Sequence, residues 1–256
     1  MSDGFLIFPD AATAAVVMLG FIAGGLAKGV FGLGMPLVGL PVMIFSIPYP
    51  TAVALFLVPN FTANGQQMFE GGQLVAHLKR FKWLMIPMLA VIPLSVRMLV
   101  TMSPETGLLV LGMLSICFAI YQMFPVQFTC PPEREKYWNP IVGVGAGLLA
   151  GVSGIYGPVL IVYLMALRMP KDDFVAALSM MYFTGSLAIA AMLAREAVVT
   201  WDLLIASAIG AGIIGLMIQV GRVVRRRVDE ARYRKMILWL LMIMGGDMIR
   251  RAALGS

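Results

Sequence analysis

Charge is what this sequence has least of. Only 12% of its 256 residues are Asp, Glu, Lys or Arg, while 60% are hydrophobic and the mean hydropathy is +0.91. A soluble domain carries about a quarter charged residues, so a soluble fold is excluded. Histidine occurs once, as His77, and cysteine twice, as Cys117 and Cys130. That supply fits neither a zinc-ligand spacing nor a disulfide framework. No metal, cofactor or catalytic residue is expected. The first ten residues lack a basic region and a small-residue cleavage site, so no cleavable signal peptide is expected. The net charge of +6 gathers in two stretches, which reports membrane topology and excludes a nucleic-acid partner.

What the chain has is apolar length. Several uncharged runs approach or exceed the ~18–20 residues that cross a bilayer, so an all-α, multi-pass integral membrane protein is predicted. The 21 methionines read as flexible filler between apolar helices. Residues 12–46 form one nearly uncharged segment broken by Lys28. As a single helix it would reach about 52 Å, so its glycines, Pro36 and Pro41 predict two short helices meeting at a bend. Irregular backbone survives at membrane depth only inside protein or a wet cavity. Further spans are predicted at 51–69, 83–101 and 107–124. A basic loop with His77, Lys79, Arg80 and Lys82 precedes the second of these, and Trp83 is placed as an interfacial anchor.

The plan then repeats. A first repeat (1–128) and a hydrophilic linker (129–138) lead to a second repeat (139–256), the three forming one transport domain. The second repeat has a broken pair at 139–167 and spans at 174–194, 201–220 and 236–249. Gly20 and Gly145, Gly29 and Gly154, and Gly32 and Gly157 lie 125 residues apart. After a three-residue deletion, Pro48 and Pro170, Phe61 and Phe183, and Thr62 and Thr184 lie 122 apart. In the 125-residue register Lys28 pairs with Ser153. The basic stretches, 70–82 and 222–235, follow different elements of the two halves. If both are cytoplasmic, the halves are inverted-topology repeats, each a broken or re-entrant hairpin plus three transmembrane helices.

The segments Gly20-Phe-Ile-Ala-Gly-Gly-Leu-Ala-Lys-Gly-Val-Phe-Gly-Leu-Gly-Met-Pro36 and Gly143-Val-Gly-Ala-Gly-Leu-Leu-Ala-Gly-Val-Ser-Gly-Ile-Tyr-Gly-Pro158 resemble those of the sulfite exporter TauE/SafE family of bacterial membrane transporters. The resemblance covers nearly the whole chain. It implies movement of sulfite, sulfonates or related sulfur-containing anions across the cytoplasmic (inner) membrane, energised by a proton or ion gradient. This chain departs from the usual glycine run at Phe31-Gly-Leu-Gly34 and Tyr156-Gly-Pro158, and it adds Lys28.

Paired broken segments are the best sequence pointer to a transporter's site. The candidate substrate-binding residues are Lys28, Gly29, Gly32, Gly34, Asn60, Asn64, Ser153, Gly154, Tyr156, Gly157 and Thr184, with the site expected near the midplane between the two breaks. A mid-span lysine is costly and by default functional, here as counter-charge; the other reading is snorkelling or pairing with Asp247. The glycines would admit an oxyanion to backbone N–H groups at half-helix starts, or serve close packing. Asn60, Asn64 and Thr184 would orient sulfonate oxygens, or bond between helices. Tyr156 lines the pocket or packs.

Expected partners are the small sulfur-containing anion, the bilayer, a coupling proton or sodium ion and, in a homodimer, a second copy. Two rivals stand beside the transporter. Gly151-Val-Ser-Gly154 fits the Gly-x-Ser-Gly of rhomboid-type intramembrane proteases, but a serine nucleophile needs a histidine within reach, and His77 is predicted in a loop. The second rival is an anion channel or a membrane scaffold.

Overall fold

The computed structural model describes residues 8–31, 35–69, 73–123, 129–225 and 230–254. Eleven helices and no strand occur among them. They are α1 (Ala11–Phe31), α2 (Met35–Met43), α3 (Tyr49–Leu55), α4 (Leu57–Gln67), α5 (Leu74–Thr101), α6 (Pro104–Met123), α7 (Pro132–Ser153), α8 (Gly157–Ala166), α9 (Lys171–Arg195), α10 (Trp201–Arg225) and α11 (Glu230–Leu254). The protein is all-α. Among the described residues α1, α5, α6, α9 and α10 are long and apolar enough to cross a membrane.

Local chemistry sets the boundaries. Asp10 caps α1, accepting the Thr13 N–H at 2.7 Å and its hydroxyl at 2.9 Å, which satisfies one of the orphan donors of a helix start. Pro48, Pro131 and Pro170 stand at the N-caps of α3, α7 and α9, where no earlier N–H is needed. The span predicted at 51–69 is two helices, because Pro59 has no N–H to offer the carbonyl of Leu55 four residues back. Ser207 of α10 repairs that gap. Its hydroxyl donates to the Leu55 carbonyl at 2.8 Å and accepts the Val58 N–H at 3.1 Å.

Two corrections concern the predicted boundaries. The basic stretch after α4 is not a loop: α5 begins at Leu74 and carries His77, Lys79, Arg80 and Lys82 in its opening turns. The broken pairs are not two equal short helices. A full-length helix (α1, α7) is followed by a half-length one (α2, α8).

The helices pack as two compact units. The first holds α1, α2, α3, α6, α10 and α11. In it α2 folds back on α1, with Gly24 against the Met35 carbonyl and Gly20 against Met43 and Gly39. Helix α1 runs in the same direction as α10: Phe21 meets Gly210, Gly25 meets Ile214, and Gly29 meets Ile218 and Gly221. A side chain at Gly29 would strike the Ile218 carbonyl, so close backbone approach requires glycine there. In α6 and α11, Gly112 faces Gly245, Met248 and Ile249, while Gly245 faces Gly112, Ser115 and Ile116. That reciprocity is the pattern of helices running in opposite directions.

The second unit holds residues 60–67 of α4 with α5, α7, α8 and α9. Here α7 runs parallel to α5, with Gly143 on Leu84, Gly147 on Met88 and Gly151 on Ser95. The fully buried Ser95 hydroxyl donates across to the Gly147 carbonyl at 2.8 Å. Helix α9 packs on α5 and α8, and Phe61 of α4 meets Phe183 of α9 edge-on, centroids 5.6 Å apart. The two units share a packing plan: a long glycine-bearing helix, a half-helix folded onto it, and a parallel partner taken from the other half of the sequence.

The N-cap prolines Pro48 of α3 and Pro170 of α9 stand 122 residues apart, the offset expected for the later part of the two halves.

Candidate functional site

The second unit's helix break is described in full. Helix α7 stops at Ser153 because Gly154 takes the left-handed conformation (φ 68°), its N–H returning to the Ala150 carbonyl; glycine adopts that backbone without a Cβ penalty. Ser153, fully buried, bridges the break. Its hydroxyl donates to the Leu149 carbonyl at 2.6 Å and accepts the Ile155 N–H at 3.1 Å. Helix α8 opens at Gly157 with Tyr156 as its N-cap residue and no side-chain cap. Pro158 has no N–H, which leaves Gly157 and Val159 as donors of the first residues.

Two tyrosines organise the space beside that start. The Tyr156 hydroxyl donates to the Tyr182 carbonyl at 3.0 Å and lies 3.4 Å from the Ser186 hydroxyl. The Tyr156 and Tyr182 rings meet edge-on, centroids 5.2 Å apart, and Gly185 leaves room for Tyr156. The Tyr182 hydroxyl lies against Gly157, where a Cβ would strike it. It is buried and has no hydrogen-bond partner. A buried hydroxyl left unpaired costs about 1–3 kcal/mol, and here it stands beside an uncapped helix start.

The candidate residues therefore divide. Ser153, Gly154, Tyr156 and Gly157 come together at this break. Asn60 and Asn64 lie in α4, where the buried Asn64 amide donates to the Asn60 carbonyl at 2.9 Å. Thr184 bonds back to the Met180 carbonyl of its own helix at 2.8 Å. Lys28 and Gly29 belong to the first unit, in the last turn of α1. There Lys28 is half-buried, and a cation in the last turn of a helix is favoured by the dipole. Gly32 and Gly34 lie outside the described residues. Asp247, the alternative partner for Lys28, is held by Arg250 at 2.7 Å and Arg251 at 2.8 Å on its own helix.

Sequence reasoning did not single out Tyr182 as a site residue, although the 122-residue register marks it as the counterpart of Asn60. It also misplaced His77. This histidine is buried (4% exposed) in α5, with Nε2 3.5 Å from Oδ1 of Asp173 in α9. The protease reading fails on this geometry. Gly151 packs at Ser95 and Val96, so Ser153 lies near the far end of α5 from His77, about 28 Å along the helix axis at 1.5 Å per residue.

Five helices long and apolar enough to cross a membrane and two glycine-packed units describe a multi-pass membrane protein. Residues 16–248 match the sulfite exporter TauE/SafE family. The chain belongs to that family, a family of membrane transporters and not enzymes. Comparisons with curated proteins and with solved structures gave no match.

Proposed function

We propose that this protein is a secondary transporter of sulfite, an organosulfonate or a related sulfur oxyanion, working across the bacterial cytoplasmic (inner) membrane by alternating access and driven by a proton or ion gradient. The observation that carries the reading is the buried, unpartnered Tyr182 hydroxyl set against Gly157 at the uncapped start of α8. An oxyanion there would accept from the hydroxyl and from the first N–H groups of α8, where the helix dipole favours negative charge. Within the second unit the break from Ser153 to Gly157 would hold the anion, with Asn60, Asn64 and Thr184 to orient it. Lys28, Gly29, Gly32 and Gly34 are proposed as contacts in the first unit's own segment.

The same reading takes 1–128 and 139–256 as inverted repeats of one transport domain. In its support, α1 runs with α10 toward Arg222, whereas α7 runs with α5 away from Lys79 and Lys82. Equivalent helices thus point oppositely relative to the basic ends, which are cytoplasmic by the positive-inside rule. The opposed directions of α6 and α11 agree.

The test is counterflow of labelled sulfite in proteoliposomes, competed by sulfonates, thiosulfate, sulfate and chloride. Competition by sulfur oxyanions and not by chloride is the expected result. Verified insertion with no exchange of sulfite or sulfonate would turn the reading toward another solute or a scaffold.

A further inference from the structure

We propose that His77 and Asp173 form a proton-binding site, and that it is the site through which a proton gradient drives this protein; the second half of the proposal rests on the transporter reading above. The pair lies in the second unit, where the opening turns of α5, α7 and α9 meet the end of α8. His77 is the only histidine in the chain, it is buried, and its Nε2 has no hydrogen-bond partner although Asp173 Oδ1 stands 3.5 Å away. At that separation the two are adjacent but not bonded.

The surrounding groups are already committed. From α5 itself, Arg80 is held two-pronged by Glu135 of α7 at 2.9 and 3.0 Å. From α8, the Tyr163 hydroxyl donates to Asn139 Oδ1 of α7 at 2.6 Å. From α9, Lys171 and Asp172 are exposed beside the half-buried Asp173. Arg80 is bonded to Glu135 and also acts electrostatically on Asp173, and Tyr163 is spent on Asn139. The open valence is therefore between His77 and Asp173.

The step balances simply. A proton from water takes the Nε2 lone pair, and the pair gains one positive charge. The imidazolium N–H then donates to Oδ1, and a charge-assisted bond of about 2.7–2.9 Å draws α9 onto α5. Loss of the proton to water reverses the step. Lys79, Arg80 and Lys82 mark this end of α5 as cytoplasmic, so the site faces the cytoplasm. Because α8 ends in this cluster and begins at the Gly154–Gly157 break, tightening of α5 and α9 reaches the anion site through one half-helix.

Counterflow exchanges substrate without net proton movement, whereas uptake driven by an imposed pH gradient requires the proton. His77→Gln and Asp173→Asn are expected to keep sulfite counterflow and lose pH-gradient-driven accumulation. Gradient-driven accumulation equal to wild type in both variants overturns the proposal. A wild type without counterflow would sink the transporter reading instead. A second measurement needs no transport and no active variant. The single histidine gives one set of imidazole NMR signals, and their pH dependence in purified protein is expected to differ between wild type and Asp173→Asn. Coincident titrations overturn the proposal.

Discussion

The Tyr182 hydroxyl rests against Gly157 at the first residue of α8, buried and bonded to nothing. A packing residue and a binding residue answer differently to its removal. Tyr182→Phe deletes an unsatisfied buried group, so the empty protein should gain about 1 kcal/mol of stability. If the hydroxyl binds the anion, the same change removes a hydrogen bond to a charged group, worth about 1.5–3 kcal/mol, or roughly ten- to a hundred-fold in affinity. Thermal unfolding with and without substrate, alongside counterflow, separates the two. A variant that is stabilised and binds as wild type would remove Tyr182 from the site. Gly157→Ala, which drives a methyl into the hydroxyl, is expected to weaken binding as well.

Glycines of this chain split into those that touch a neighbouring backbone and those that touch nothing. Alanine at Gly29 would meet the Ile218 carbonyl and at Gly147 the Met88 carbonyl, while Gly145 and Gly212 have nothing within 4 Å. Gly29→Ala and Gly147→Ala should each cost about 1–3 kcal/mol through forced separation of α1 from α10 or of α7 from α5. Gly145→Ala and Gly212→Ala should be neutral or mildly stabilising, since alanine is the better helix former. Unfolding temperatures in detergent read this directly. Equal losses at all four positions would contradict the packing described.

Lys28 stands in the last turn of α1, where the helix dipole favours a cation whether or not an anion binds. Charge at that position therefore has a structural use, and the variants must distinguish it from a substrate contact. Lys28→Arg should preserve both. Lys28→Ala should lower sulfite affinity in counterflow more than it lowers thermal stability. Unchanged affinity in Lys28→Ala would remove Lys28 from the site.

Much of this was legible in advance because it depends on composition and on breakers. Spanning helices follow from apolar length, and the break after Ser153 follows from glycine and proline. Two things were not legible. The basic run at 70–82 looked like a loop because Lys79, Arg80 and Lys82 are adjacent in sequence. On a helix they are solvated, while His77 turns inward toward Asp173, a partner nearly a hundred residues away. Finally, the role of Ser207 in bridging the Pro59 gap depends on α10 lying beside α3, which only the fold supplies.

At the start of α1, Asp10 holds the Thr13 N–H and hydroxyl, and these bonds, the backbone one first, lower its carboxyl below the ordinary value of 3.8. A carboxyl depressed on folding contributes stability at pH above its unfolded value and loses it as pH falls through the folded value. The cap should therefore be intact at neutral pH and weaken only below about pH 4. Hydrogen exchange at the Thr13 amide is the readout, expected to quicken in acid relative to amides deeper in α1. Asp10→Asn keeps an N-cap acceptor without the charge, so its exchange should lose the acid dependence. Asp10→Ala should exchange faster at every pH. An acid response that survives in Asp10→Asn would assign it to some group other than this cap.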